Sequence, residues 1–353
     1  MKKVFLYAYD RQNLGDDLFV HTITKRYPDV QFYIWSDRKN RETFACLPNL
    51  KVIDRDSRLV HVLQKLRASF VPKYRSWLEK RCDAVVYIGG SIFLEYPTWA
   101  QICSWWEYEA ANYPFYVLGA NFGPYHTEEY REKMAQIFRS CRDVCFRDRY
   151  SRELFRDVAT VRLAPDILFS YPVPECAVKE NQIFVSVINC AGRDESHDLS
   201  RHDERYVANM AAMLRRLLEA GQELVLASFC AEEGDEEGIR KILAAMGCEQ
   251  DPRVRVLHYD GTNTDELTAA ISESGGVIAT RFHAAILAIA ANRPVLPIVY
   301  SDKTKHVLED LGFTGTVYDL RVDSGWDRAE MTAAVPPPVC DGGHFEKLDQ
   351  RLR

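Results

Sequence analysis

The pattern that most limits how this chain can fold is the repeated exchange of short apolar runs for segments with helical period. From Ile183 onward, IFVSVIN is followed by ERYVANMAAMLRRLLEAG, ELVLASF by EEGIRKILAAMG, and VRVLHY by DELTAAISES. GGVIAT then leads into HAAILAIAANR, and PVLPIVY into KTKHVLEDLG, whose terminal Gly312 has the usual position for a helix stop. Runs this apolar suit strands covered on both faces, and parallel strands need crossover helices of this length. The first half repeats the rhythm, with VFLYAY, VQFYIW, KVID, AVVYIGG, FYVLGA and DVCFRD as strands and stretches such as TEEYREKMAQIFRSC as helices. The expected fold is α/β, with two Rossmann-like domains built on parallel sheets. Two prolines and a group of polar residues in YPVPECAVKENQ, Tyr171 to Gln182, break the pattern and mark the join. That gives an N-terminal domain over 1–175 and a C-terminal domain over 176–325. In the remainder, 326–353, the run AVPPPVCDGG excludes regular structure, so the closing HFEKLDQRLR is either a packed terminal helix or a mobile tail.

Composition narrows the partners. With 353 residues, 47% hydrophobic and 27% charged, the chain has the balance of a globular protein with a full core. A formal net charge of −6 and the lack of a long basic block or an aromatic-rich RNA-binding signature argue against nucleic acid. The start MKKVFLYAYD is too short in apolar residues for a signal peptide, and no apolar run is long enough to span a bilayer, so a cytoplasmic location is expected. Ten cysteines occur without a CxxC pair, which favours buried thiols over zinc or disulfides.

Ligands of open α/β sheets bind where strands end and helices begin, because free N–H groups there favour anions. Arg281 and His283 directly follow GGVIAT, and Lys303 and Lys305 hold the corresponding place after PVLPIVY. Four basic groups at neighbouring strand ends suit an anion carrying phosphate and carboxylate; solvated Arg and Lys side chains and a capping His are the plainer reading, and the spacing leaves both open. After VFLYAY, the loop DRQNLGDD supplies Asn13, Gly15, Asp16 and Asp17. Gly15 permits a tight turn and the aspartates favour the next helix start, while the two carboxylates, facing a cleft between the domains, can also hold or deprotonate sugar hydroxyls. Gly89, Gly90 and Ser91 end one strand, and Gly119, Asn121, Gly123 and Pro124 end another, as plain turns or as places of close ligand approach. Neither a Walker loop nor GxGxxG is present. Arg147, Asp148 and Ser151 fit an ion pair or a helix cap, and Asp166 fits a turn. TWAQICSWWEYEAANY, with Trp99, Trp105, Trp106 and Tyr108, reads as core and interface ahead of sugar stacking or contact with a membrane surface.

Taken in order, these motifs resemble the polysaccharide pyruvyl transferase family along most of the chain. The resemblance runs through Asn13 to Asp16, GGSIF at Gly89 to Phe93, the GxNxGP stretch, Arg147 to Ser151 and Asp166. It ends in RFHAAILAIA followed by YSDKTKHVLEDLG, its most specific part. One departure is Ser91, where the family often has a third glycine. The resemblance implies a GT-B-like architecture and transfer of a pyruvyl group from phosphoenolpyruvate to a sugar as a cyclic ketal, without metal or cofactor. It implies that Arg281, Lys303 and Lys305 hold the donor's charges, that His283 protonates its methylene, and that Asp16 or Asp17 orients or deprotonates the acceptor. Asn13, Gly89, Gly90, Ser91, Asn121 and Arg147 are the further binding positions it suggests. The acceptor is expected to be a lipid-linked, nucleotide-linked or finished glycan, with peripheral contact at the inner face of a membrane among the expectations. A GT-B glycosyltransferase using a nucleotide sugar is the alternative enzyme, and a non-catalytic glycan- or anion-binding protein the alternative of another class.

Overall fold

Strands β1 (Lys3–Tyr7), β2 (Gln31–Ser36), β3 (Leu50–Asp54), β4 (Ala84–Ile88), β5 (Phe115–Ala120), β6 (Asp143–Phe146) and β7 (Val161–Leu163) form one parallel sheet in the order β3-β2-β1-β4-β5-β6-β7. A second sheet joins β8 (Lys179–Ser186), β9 (Glu223–Ser228), β10 (Val254–His258), β11 (Ser274–Ala279), β12 (Val295–Val299) and β13 (Tyr318–Asp319) in the order β10-β9-β8-β11-β12-β13, again parallel. The structure is a computed structural model that describes residues 1–67, 70–191, 199–326, 331–332, 336–338 and 342–353. The expected α/β class with two parallel, Rossmann-like sheets is therefore what the chain adopts. The apolar runs are strands for the anticipated reason: Val4, Phe5 and Leu6 of β1, Val85 and Val86 of β4, and Val277 and Ile278 of β11 are all fully buried. Strands β7 and β13 escaped sequence reading because three and two residues are too few to show a period.

By contact, the chain divides into two units. The first comprises Met1–Asp10, Asp16–Ser170 and, from the C-terminal end, 342–353; the second comprises Arg11–Gly15 and the described residues of 171–338. The short piece Arg11–Gly15 thus lies with the second unit although the chain on both sides of it belongs to the first. The closing segment is a helix, Glu346–Leu352, packed on the first unit. Phe345 and Leu348 are buried, Arg26 pairs with Asp349 at 2.8 Å, and Arg162 donates to the carbonyls of Gly343 and His344.

Each unit has its own core. In the first, helix Trp99–Asn112 turns Cys103, Trp106 and Ala110 inward at i, i+3 and i+7, so the aromatic stretch is core along that face. Trp106 lies 4.8 Å from Phe93, and Phe155 lies 4.7 Å from Phe122 and 4.9 Å from Phe138. In the second, Tyr206, Met210, Met213 and Leu214 of helix Asp203–Glu219 cover Val185, Leu226 and Ile278. Cysteines that were expected as buried thiols include Cys141 and Cys145, and burial pushes both thiols up to about 12. Among the described residues, no helix is long and apolar enough to cross a membrane.

Beside the first core lies a buried acid pair. Glu79 and Glu109 both approach Arg75 at 3.3 Å, and the Tyr7 hydroxyl donates to Glu79. Burial, and after it the neighbouring Glu79 carboxylate, push the Glu109 carboxyl up to about 8, against the opposite pull of Arg75. Between the ordinary glutamate value and pH 8 the unfolded chain has lost this proton while the folded protein keeps it. Stability therefore falls as pH rises through that window. We expect a loss on the order of 4 kcal/mol from this group between pH 5 and pH 9, at about 1.4 kcal/mol per pKa unit. Denaturant unfolding of Glu109→Gln at the two pH values checks it: the variant should lose much of that pH dependence, and an unchanged slope would refute the assignment.

Candidate active site

In the second unit the strand order reverses between β8 and β11, and at such a switch point the two neighbouring crossovers leave a crevice outside the carboxyl ends of the strands. Arg281 and His283 follow β11 there. The Arg281 N–H donates to Ser186 Oγ at the end of β8 (3.0 Å), which ties the two strand ends together. Arg281 precedes helix Phe282–Ala290 in an extended conformation, and its guanidinium is buried. Its Nε donates to Asp235 (2.9 Å), with further bonds from Nη2 to Asp235 and from Nη1 to Glu233. Burial by itself lowers the Arg281 pKa, but the charges of Asp235 and Glu233 outweigh it and hold the group well above its ordinary value. Asp235 also accepts the backbone N–H groups of Phe229 (2.9 Å) and Cys230 (3.0 Å).

Those two residues carry the N-terminal loop. The Leu14 N–H donates to the Phe229 carbonyl at 3.0 Å, and Cys230 Sγ lies 3.5 Å from the Arg11 carbonyl oxygen. Asn13 is buried, and its Oδ1 accepts the Gly15 N–H (3.2 Å), as a helix-capping side chain does. His283 closes the circuit. Its ring lies 5.1 Å from that of Phe282, and a Cβ placed on Gly15 would sit 1.7 Å from His283 Nδ1. The tight turn expected of Gly15 is thereby corrected. The left-handed residue of the loop is Gln12, with φ 50°, whereas Gly15 lies inside helix Leu14–Arg26 and its missing side chain makes room for the imidazole.

Asp16 and Asp17 stand in the first turn of that helix, where the free N–H groups favour carboxylates; Asp17 is fully buried and Asp16 is half-buried. Lys303 and Lys305 begin helix Asp302–Asp310 after β12. Lys305 Nζ pairs with Asp319 at 2.5 Å, and Asp319 also binds Arg321, which reaches Asp302 at 2.6 Å. Burial works against the charge of Asp319, but Arg321 and Lys305 hold its carboxyl well below the usual range. Residues two apart on a helix lie about 200° apart around its axis, so Lys303 is not on the Lys305 face.

In the first unit, the positions after β4, β5 and β6 converge around Arg147, which is buried. Its Nη1 donates to Asp166 (2.9 Å) and its Nη2 to Asn121 Oδ1 (2.7 Å). Ser91 Oγ donates to the same Asn121 oxygen at 3.2 Å, and a Cβ on Gly90 would fall 2.6 Å from Arg147 Nη2. Gly90 is therefore small because the guanidinium covers it. Gly89, by contrast, has only Ile92 near an added Cβ, at 3.2 Å. Asp148 caps helix Arg149–Leu154 through the Ser151 N–H (2.7 Å), the helix cap that was anticipated, and Ser151 Oγ accepts the distant Phe122 N–H (2.7 Å). Sequence reading missed Asp235 and Glu233, since acids in EEGDEEG look like ordinary helix-start residues until a buried arginine is seen to need them. Among the described residues, no group of three or more His, Cys, Asp or Glu is placed to hold a metal ion.

Two doubly wound parallel sheets in succession give the chain a GT-B-type fold. Solved structures share that fold: S. aureus MnaA in complex with UDP (12% identity, TM-score 0.63, 100% of this chain and 96% of that one) and the UDP-GlcNAc 2-epimerase of Neisseria meningitidis bound to UDP-GlcNAc (12%, 0.57, 92% and 88%). Identity this low shows the fold alone. The polysaccharide pyruvyl transferase profile matches residues 13–302, and the chain belongs to that family. Amylovoran biosynthesis protein AmsJ of Erwinia amylovora is 23% identical over 266 residues, 69% of this chain and 62% of that protein, so the chain spans less than two thirds of this relative's length.

Proposed function

We propose that this protein transfers a pyruvyl group from phosphoenolpyruvate to two hydroxyls of a sugar in a polysaccharide or its precursor, forming a cyclic ketal. The family and the likeness to a polysaccharide biosynthesis protein support the substrate class. The observation that carries the chemistry is the imidazole of His283 at the β8/β11 switch point, seated on Gly15 beside the capping Asn13. In this reading, His283 gives a proton to the donor's methylene carbon, which becomes the methyl group. One sugar hydroxyl adds to the cationic carbon beside it, losing its proton. Phosphate then leaves with the C–O bonding pair, and the second hydroxyl closes the ring and loses its own proton. The start of helix Phe282–Ala290 and Lys303 meet the donor's negative charge, and Asp16 serves the acceptor hydroxyl. Arg281 contributes by holding Asp235, and through it the loop under His283, rather than through a charge left over for the donor.

The test is incubation with phosphoenolpyruvate and a panel of sugar acceptors, following phosphate release and the product by mass and NMR. Phosphate release with a ketal on the acceptor is the expected result. Release of a nucleoside diphosphate from a nucleotide sugar, with no reaction of phosphoenolpyruvate, would replace this reading by glycosyl transfer. Failure to turn over either donor class while binding glycans would make the chain a binding protein.

A further inference from the structure

Helix Arg58–Leu66 of the first unit exposes the wrong side chains for a helix facing water. Leu59, Val62 and Leu66 are 53%, 52% and 69% exposed and, at i, i+3 and i+7, form one stripe, while Val60 anchors the helix to the unit. Arg58 and Lys65 lie along one edge of that stripe, about 50° from it on a helical wheel. The following helix, Phe70–Glu79, packs against this one and ends in Trp77, which is 49% exposed with the Arg81 guanidinium 3.6 Å above its ring.

Charge identifies what would cover this surface. Between Arg58 and Arg81 there are seven Lys or Arg against a single acid, Glu79, a formal charge of +6 within a chain whose total is −6. Glu79 is buried against Arg75 and Tyr7, so it does not offset the basic exterior. An apolar stripe edged by cations, with an aromatic and a snorkelling arginine at the end of the neighbouring helix, is the composition of a helix lying in a bilayer interface. We propose that helix Arg58–Leu66 docks the first unit on an anionic lipid surface. Its three aliphatic side chains enter the acyl boundary, and Arg58, Lys65 and the basic residues that follow meet the lipid phosphates. Helix Arg58–Leu66 belongs to the first unit and shares no residue with the candidate site, so the inference holds whatever donor the protein uses.

The experiment is flotation of the full chain with vesicles of phosphatidylcholine alone and with vesicles containing phosphatidylglycerol. Flotation with the anionic vesicles only, weakening as salt is raised, is expected. Leu59→Ser/Val62→Ser/Leu66→Ser and Arg58→Glu/Lys65→Glu should each reduce it about tenfold or more, with circular dichroism and melting temperature unchanged. A protein that stays in the buffer with both vesicle types would overturn the proposal, as would variants that float like the parent. Sedimentation showing a dimer that the serine variant dissociates, without vesicle binding, would assign the stripe to a second copy of the chain instead.

Discussion

Replacing Gly15 by alanine is expected to lower turnover by roughly a hundredfold, the size of effect seen when an acid–base group is displaced, while leaving the protein folded at a cost of about 1–3 kcal/mol from overpacking. The added Cβ would lie 1.7 Å from His283 Nδ1, 2.2 Å from Cγ and 2.7 Å from Cβ. Because the clash includes the first carbon of the His283 side chain, rotating the imidazole away does not remove it. His283 or the start of helix Leu14–Arg26 must move instead, and a displacement of an ångström in a catalytic group is costly. The backbone of Gly15 raises no objection, since its φ is not positive, and alanine in a helix gains up to about 1 kcal/mol over glycine. The two effects separate a site role from a folding role. Measured kcat should fall with phosphoenolpyruvate affinity by calorimetry largely kept. In a His283→Ala background the same substitution should lower turnover little further, because the imidazole it displaces is gone, while the 2.7 Å contact with the remaining Cβ still costs stability. Full activity of Gly15→Ala would remove the packed imidazole from the reaction.

The second large effect concerns His283 itself, and it follows from where the proton must go. A ketal methyl formed from the donor's methylene contains one proton from solvent, so the reaction in heavy water should give a product methyl carrying one deuterium. His283→Gln retains a polar side chain of similar reach but has no ionisable proton to give, and turnover should drop by roughly a hundredfold or more with donor binding retained. NMR of the product and single-turnover kinetics read the two parts separately. An unlabelled methyl would exclude addition to phosphoenolpyruvate altogether. A labelled methyl from a fully active His283→Gln protein would keep the reaction and assign its acid to another group.

The fold was legible because parallel sheets leave a strong local signature: β1, β4 and β12, together with the buried ends of β8 from Ile183 and of β11 from Gly276, are covered on both faces and carry short apolar runs. The helix cap was legible because it too is local, Asp148 accepting the N–H of Ser151 three residues on. The partners of the site residues were not. Arg281 reads as a cation open to a ligand until Asp235 and Glu233 are seen around it, and Arg147 until Asp166 and Asn121 are. Burying a guanidinium requires compensating carboxylates or carbonyls, and nothing in the local pattern says which acids supply them.

The alternation of strands with crossover helices, the family and the candidate residues Arg281 and His283 could thus be had from the order of amino acids, because each depends on residues close together in the chain. The reason Gly15 has no side chain, the membership of Arg11–Gly15 in the second unit, and the acids that surround Arg281 could not. They come from contacts such as that of Cys230 with Arg11, 219 positions apart, and steric exclusion between such distant residues exists only once the second unit has folded.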